Sequence, residues 1–180
     1  MTVWEQTVTG ESQYLYGSIV SCSQQFSTGQ EIIGEYPQAC SFNFRKVGAP
    51  PSTATFQVNL ISSSNVHKGY FGDASYKMED FSTSYTDNTF SGFSDDTVTI
   101  AAGDYIGIVQ TGSGSDGSNS IQIQMATDNP QLYTAGYYES PSGTFNSLSK
   151  SYTMSVTYGS SPTPSGDGLL LPPPYSEVVF

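Results

Sequence analysis

The residues able to do acid–base or nucleophilic chemistry are few and scattered. His67 is the single histidine of the chain, and no nucleophile or acid lies near it in sequence. Adjacent carboxylates occur at Glu79-Asp80 and Asp95-Asp96, and a glycosidase needs two carboxylates at a fixed separation. However, neighbouring residues of a strand point to opposite faces, and carboxylates in turns are usually solvated. Because these residues assemble no triad of nucleophile, base and orienting group, we predict a protein that is not an enzyme.

Aspartates in predicted loops or turns raise the question of a metal site. They are Asp73, Asp95, Asp96, Asp104 and Asp116. Calcium takes oxygen ligands from loop carboxylates and carbonyls, but Asp116-Gly117 lacks the alternating ligands and closing glutamate of an EF-hand. Two interpretations remain open: a calcium site, or acidic residues that keep the surface soluble. Calcium is the one cofactor that the sequence suggests.

The two cysteines, Cys22 and Cys40, both fall on the apolar side of predicted strands. If those strands are neighbours, a disulfide between them would join the N-terminal strand to the next one. The alternative is two buried free thiols that pack as small hydrophobic side chains. With two cysteines and one histidine, the sequence does not favour a zinc site.

Aromatic residues concentrate in two stretches that could stack against sugar rings. One lies in the segment Val66–Asp73, which we predict to be a loop, and the other spans Tyr133–Tyr138. The candidate stacking residues are Tyr70, Phe71, Tyr133, Tyr137 and Tyr138.

Alternation of apolar and polar residues predicts that short β-strands carry these groups. The segments Ala39–Leu60 and Thr97–Gln110 are predicted to be β-hairpins, with Gly48 and Gly103 in their turns. No helical apolar stripe of useful length occurs, so we predict an all-β, antiparallel two-sheet sandwich. The residues predicted to face its core are Phe42, Phe44, Phe56, Val58, Leu60, Val98, Ile100, Ile106, Ile108, Ile121, Ile123 and Val156.

Composition restricts the partners. The chain has 180 residues, a formal net charge of −11 and five lysines plus arginines. A nucleic-acid partner is therefore not expected, because neutralising phosphates needs clustered positive charge. No apolar run reaches membrane-spanning length. The N-terminus lacks the basic and apolar regions of a secretory signal. Either such a signal has been removed, or the protein leaves its cell by another route, such as inside a virion.

Several segments together resemble a known family. They are Gln24-Gln25-Phe26, Arg45–Pro50 with the small-residue strand after it, Ala102–Ile108, a Gly/Ser loop, a tyrosine-rich stretch and a last strand. In this order they resemble the choice-of-anchor domains, which are jelly-roll β-sandwich modules. Such modules occur in secreted and surface proteins of bacteria and archaea, and in structural proteins of their viruses. The resemblance covers about residues 17–159, implies a jelly roll, and carries no catalytic residue and no ligand.

The ends of the chain differ in character from this middle part. Residues 1–16 are predicted to be an arm or edge strand, residues 17–159 the sandwich, and residues 160–180 a Pro/Gly-rich linker with an apolar arm. The predicted partner-docking residues are Trp4, Leu169, Leu170, Leu171, Pro172, Pro173, Pro174, Tyr175, Val178, Val179 and Phe180. Trp4 could instead be a packing anchor. The segment Pro172–Tyr175 also matches the P-P-x-Y pattern of WW-domain ligands.

Two hypotheses of function follow. The first is a structural subunit of a virion (capsid, decoration or fibre protein) or of an extracellular appendage, which assembles through its terminal arms. Its partners would be other copies of itself or another structural protein. The second is a carbohydrate-binding or adhesion module that recognises a surface glycan. Both hypotheses place the protein in a virion or on an extracellular surface.

Overall fold

A computed structural model describes residues 2–6, 11–17, 19–126, 133–138, 146–148 and 151–160. In this part of the chain there are thirteen β-strands, one short 3-10 helix at Met78–Asp80 and no α-helix. The strands are β1 (Thr2–Gln6), β2 (Glu11–Leu15), β3 (Ser21–Phe26), β4 (Tyr36–Val47), β5 (Thr55–Ile61), β6 (His67–Lys77), β7 (Thr86–Ser91), β8 (Tyr105–Gln110), β9 (Ser120–Ala126), β10 (Tyr133–Tyr138), β11 (Asn146–Ser147), β12 (Ser151–Tyr152) and β13 (Met154–Gly159). The all-β prediction is therefore confirmed.

The strands form two antiparallel sheets. The first sheet has seven strands in the order β1-β13-β4-β9-β12, with β2 also paired to β9 and β7 also paired to β4. The second sheet has six strands in the order β11-β10-β3-β8-β5-β6. Strand β4, which is 12 residues long, is the centre of the first sheet because it pairs with β7 along one edge and with β13 and β9 along the other.

The core lies between the two sheets, as the alternation predicted. Every residue predicted to face inward is buried except Val98, which is partly buried and packs against the core. Phe44 of the first sheet meets Phe56 of the second edge to face, with their ring centroids 5.9 Å apart. Edge-to-face pairs are a favoured aromatic geometry, so this contact helps to fix how the sheets face each other.

The predicted hairpin at Ala39–Leu60 is wrong, because its two arms belong to different sheets. Strand β4 pairs within the first sheet, whereas β5 pairs with β6 and β8 in the second. The connection does turn at Gly48, whose φ of 66° favours glycine. A Cβ there would lie 2.0 Å from the carbonyl oxygen of Ser118. The apolar sides of both arms face the same core. The alternation of apolar and polar residues is therefore the same whether the two strands form a hairpin or cross from one sheet to the other.

The second predicted hairpin is also wrong, since only its second arm, β8, is a strand. The segment before β8 instead lies against the loop that follows β3, where the backbones of Ile100 and Glu35 are hydrogen-bonded at 3.0 Å. The turn into β8 does contain Gly103 with a φ of 89°, as predicted. The segment Val66–Asp73, predicted to be a loop, lies mostly in strand β6.

Candidate functional site

The residues examined for catalysis lie apart in the fold. His67 is exposed at the start of β6, and its ring stacks on Tyr70 with centroids 6.4 Å apart. Glu79 lies in the 3-10 helix, with its carboxylate 3.7 Å from Lys77. Asp95 accepts hydrogen bonds from the hydroxyl and backbone N–H of Thr97, and these bonds hold the pKa of Asp95 below its ordinary value. Glu79 and Asp95 thus each bind a residue two positions away in sequence.

The aspartates predicted to bind calcium are not brought together. In the described part of the chain, no three His, Cys, Asp or Glu side chains form a group that could hold a metal ion. Asp116 binds its own loop, and the backbone N–H of Ser118 together with the Asn119 side chain lowers the pKa of the Asp116 carboxyl. Asp104 is buried and pairs with Lys68 at 2.6 Å. Asp104 is thereby removed from the candidate ligands, because a cation of the chain itself already neutralises it.

The structure distinguishes between the two alternatives for the cysteines. Cys22 lies on β3 of the second sheet and Cys40 on β4 of the first, so their strands are not neighbours. Both are buried free thiols. Burial raises the pKa of Cys22 to about 12, although a hydrogen bond involving Tyr152 opposes the shift. Burial also raises the pKa of Cys40 well above its ordinary value. The thiols therefore match the second alternative, two small buried side chains of the core, and not the disulfide.

Both ends of the described chain meet at one edge of the first sheet. Strand β1 pairs with β13 so that Thr2 lies opposite Tyr158, and Trp4 lies opposite Val156. The second edge of β1 is paired with no strand in the described residues. Val3 on this strand is 55% exposed. The predicted docking residues from Leu169 to Phe180 lie outside the described residues.

The predicted stacking aromatics have different surroundings. Phe71 is fully buried against Phe93, with centroids 4.9 Å apart, so the prediction that it offers a face to sugars is wrong. Tyr70, by contrast, is partly exposed and lies opposite Asn59 on the neighbouring strand. Tyr133, Tyr137 and Tyr138 lie on β10, and the backbone of Tyr137 is opposite Cys22.

Beside Tyr70 and His67, an open cavity of about 220 Å³ lies against the second sheet. The tight turn between β5 and β6 forms one side, because Ser62 accepts the backbone N–H of Asn65 at 2.9 Å and Asn65 has a φ of 61°. Asparagine tolerates this left-handed conformation better than most residues. The turn places His67 opposite Ile61, at the mouth of the cavity.

Two residues that line this cavity each carry a buried amide oxygen that lacks a hydrogen-bond partner among the described residues. Asn59 Oδ1 and Gln110 Oε1 are buried and unpaired among the described residues, and Asn59 as a whole is 6% exposed. Gln110 donates from Nε2 to the carbonyl of Gly112 at 3.0 Å, and this bond sets the orientation of its amide. A buried acceptor left unpaired costs about 1–3 kcal/mol, so such a group calls for an explanation.

Sequence reasoning missed this cavity. Asn59 is one of the polar residues, with Thr55 and Gln57, that alternate with the apolar residues of strand β5. The pattern therefore predicts only that Asn59 lies on the outer face of the sheet. Gln110 lies at an alternate position from Ile106 and Ile108, so the sequence pattern directs it inward with them. A polar residue at an inward position was the one signal in the sequence that pointed to this cavity.

A scan against protein-family models and a search of the curated proteins found no match to this chain. Among the described residues, no helix is long and apolar enough to cross a membrane.

Proposed function

We propose that this protein is a non-enzymatic structural subunit of a virion or an extracellular appendage, and that it assembles through its terminal segments. The observation that carries the proposal is the pairing of β1 with β13 at one edge of the first sheet. Strand β13 ends at Gly159, beside the start of β1 at Thr2, so we expect both terminal segments to reach a neighbouring subunit from one corner of the sandwich.

The composition of these segments supports a docking role. Six apolar residues follow a polar linker in the C-terminal segment: Leu169, Leu170, Leu171, Val178, Val179 and Phe180. Left in water they would be an aggregation hazard, whereas each one fully buried on a partner contributes about 1.5–3 kcal/mol. Three prolines between the two apolar groups favour an extended segment, so the groups could occupy separate pockets.

The edge of β1 that pairs with no strand of the described residues supports the same proposal. An open strand edge offers free N–H and C=O groups to a strand of another chain, and proteins that stay monomeric usually protect such edges. Charge opposes contact at this strand only weakly, because Glu5 is its single acidic or basic side chain.

We also assign the two-sheet sandwich to the jelly-roll class as part of this proposal. From β3 to β9 the chain passes between the sheets five times, since β3, β5, β6 and β8 lie in the second sheet and β4, β7 and β9 in the first. Frequent crossing between two facing sheets is what a jelly roll requires. The same class is implied by the resemblance to choice-of-anchor domains.

The test compares the full chain with a variant that ends at Ser160. This endpoint keeps Gly159, which pairs with Tyr36 in the first sheet. We expect the full chain to form particles, tubes or other oligomers in light scattering and negative-stain microscopy. The shortened variant should remain folded and monomeric.

A second variant controls for length alone. It keeps all 180 residues but replaces the six apolar residues of the C-terminal segment with serine. It should fail to assemble, as the shortened variant does. If either variant assembles as the full chain does, the C-terminal segment is not a docking arm, and adhesion or WW-domain binding becomes the better hypothesis.

A further inference from the structure

The cavity beside His67 requires a particular chemistry of anything that fills it. The two unpaired groups, Asn59 Oδ1 and Gln110 Oε1, are hydrogen-bond acceptors. The terminal torsion of an asparagine is broad and roughly two-fold, so a half turn of the amide lets either its oxygen or its nitrogen meet an occupant. Both oxygens are buried in this structure, so an amide must turn before it meets an occupant, and an occupant that both donates and accepts hydrogen bonds suits either orientation.

The charge of the residues around the cavity indicates which kind of hydrogen-bond donor can bind there. Among the described residues that line the cavity, none is an aspartate, glutamate, lysine or arginine. An ammonium group would lose its hydration here without gaining a counter-charge, which is unfavourable. Hydroxyl groups of a neutral molecule both donate and accept, and they lose less on leaving water. The occupant that fits is thus neutral and rich in hydroxyl groups.

The walls and the volume narrow the choice further. Val20, Ile61 and Val109 provide an apolar surface next to the polar amides. A cavity of about 220 Å³ has room for several water molecules, which is the scale of one sugar ring. A sugar ring has an apolar C–H face and an edge of hydroxyl groups, and binding sites commonly combine apolar walls with a few polar groups.

We propose that this cavity binds one ring of a neutral carbohydrate, or a cyclic polyol of the same size. The amides of Asn59 and Gln110 bind its hydroxyl groups, the apolar wall contacts its C–H face, and His67, whose ring stacks on Tyr70, also lines the cavity. This site goes beyond the assembly role and does not depend on it, because it lies on the second sheet whereas the chain ends meet on the first.

Heteronuclear NMR of the full chain labelled with ¹⁵N tests the site. The probes are D-glucose, D-galactose, N-acetyl-D-glucosamine and myo-inositol, each added alone, with ethylammonium as a charged comparison. At least one neutral probe should shift the side-chain amide signals of Asn59 and Gln110 with a Kd on the order of 1 mM. Ethylammonium should leave these signals in place.

Two variants act on the site in different ways. Asn59→Leu removes an amide but keeps the size of the side chain, and Val109→Trp fills the cavity from its wall. Each should weaken the binding of the neutral probe at least tenfold, about 1.4 kcal/mol. Val109 is partly exposed, so its replacement leaves the core in place and remains informative if Asn59→Leu does not fold.

The matched control is Asn43→Leu. Asn43 Oδ1 is likewise buried and unpaired, but it lies on β4 in the first sheet. This variant should bind the neutral probe as the unaltered protein does. The proposal is overturned if no neutral probe shifts the two amides, if ethylammonium shifts them instead, or if binding is unchanged in both Asn59→Leu and Val109→Trp.

Discussion

At the scale of single residues, the two thiols show how burial alone sets chemistry. Cys22 is fully buried, and the loss of hydration raises its pKa from an ordinary 9.0 to about 12. The thiolate is the reactive form of cysteine. In the folded protein Cys22 therefore stays protonated and unreactive, although the same side chain ionises near pH 9 once the chain unfolds.

This difference predicts an alkaline loss of stability. A pKa raised by folding contributes stability that is fully present below about pH 9 and is lost as the pH rises towards 12. Each such group lowers the free energy of unfolding by about 1.4 kcal/mol per pH unit within that range. We expect urea titrations to show a shallower decline for Cys22→Ala than for the unaltered protein. Parallel curves for the two proteins above pH 9 would contradict the raised pKa.

At the scale of elements, a buried ion pair joins β6 to the turn before β8. Lys68 on β6 donates to a carboxylate oxygen of Asp104 at 2.6 Å and to the carbonyl of Thr99 at 2.9 Å. The same carboxylate oxygen accepts the backbone N–H of Ala101 at 2.8 Å. The side chain of Asp104 is 4% exposed, whereas that of Lys68 is 23% exposed. This pair adds a side-chain link to a segment that also makes backbone hydrogen bonds, such as the one between Ile100 and Glu35.

Removing the two partners should therefore have unequal costs. Lys68→Met leaves a buried carboxylate without its cation and should lower the free energy of unfolding by about 2–3 kcal/mol, below the 3–5 typical of fully buried pairs. Asp104→Asn should cost about 1–2 kcal/mol, because Lys68 can turn towards water. In urea titrations the double variant should cost less than the sum of the two single variants.

The surface pair Lys77–Glu79, with side chains 55% and 39% exposed, provides the control. Lys77→Met should change the free energy of unfolding by less than about 1 kcal/mol. Additive costs for Lys68→Met and Asp104→Asn would show that the two side chains are not energetically coupled.

The elements also show how far the sequence could predict the fold. Alternation located β4, β5 and β8 and the inward side of each, because the period of side chains along a strand is a local property. It could not tell that β4 and β5 lie in different sheets, because pairing depends on contacts distant in sequence. The cavity escaped prediction for the same reason: Asn59, Val109 and Gln110 meet only once β5 and β8 are paired.

At the scale of the whole molecule, an aromatic cluster at the interface of the sheets holds the sandwich together. Phe44 of the first sheet contacts Phe56, Phe81 and Phe90, with centroid distances of 5.9, 5.0 and 6.3 Å. Phe56 of the second sheet also meets Tyr76, at 5.6 Å. The cluster thus includes rings from both sheets and from the loop after the 3-10 helix, so its loss should affect the stability of the entire fold.

Phe44→Ala tests this directly. Phe44 is fully buried, and truncating such a ring removes its transfer free energy and leaves a cavity, which together cost about 3–5 kcal/mol. Denaturation midpoints should fall accordingly without a large change in the m-value, since the same surface is exposed on unfolding. Val66→Ala is the control, because Val66 is 60% exposed and should change stability by less than about 0.5 kcal/mol.

Because Phe44 and Phe56 touch across the sheets, the double variant Phe44→Ala/Phe56→Ala should deviate from additivity by about 0.5–1.5 kcal/mol. An unchanged midpoint for Phe44→Ala would mean that the two sheets do not share this core.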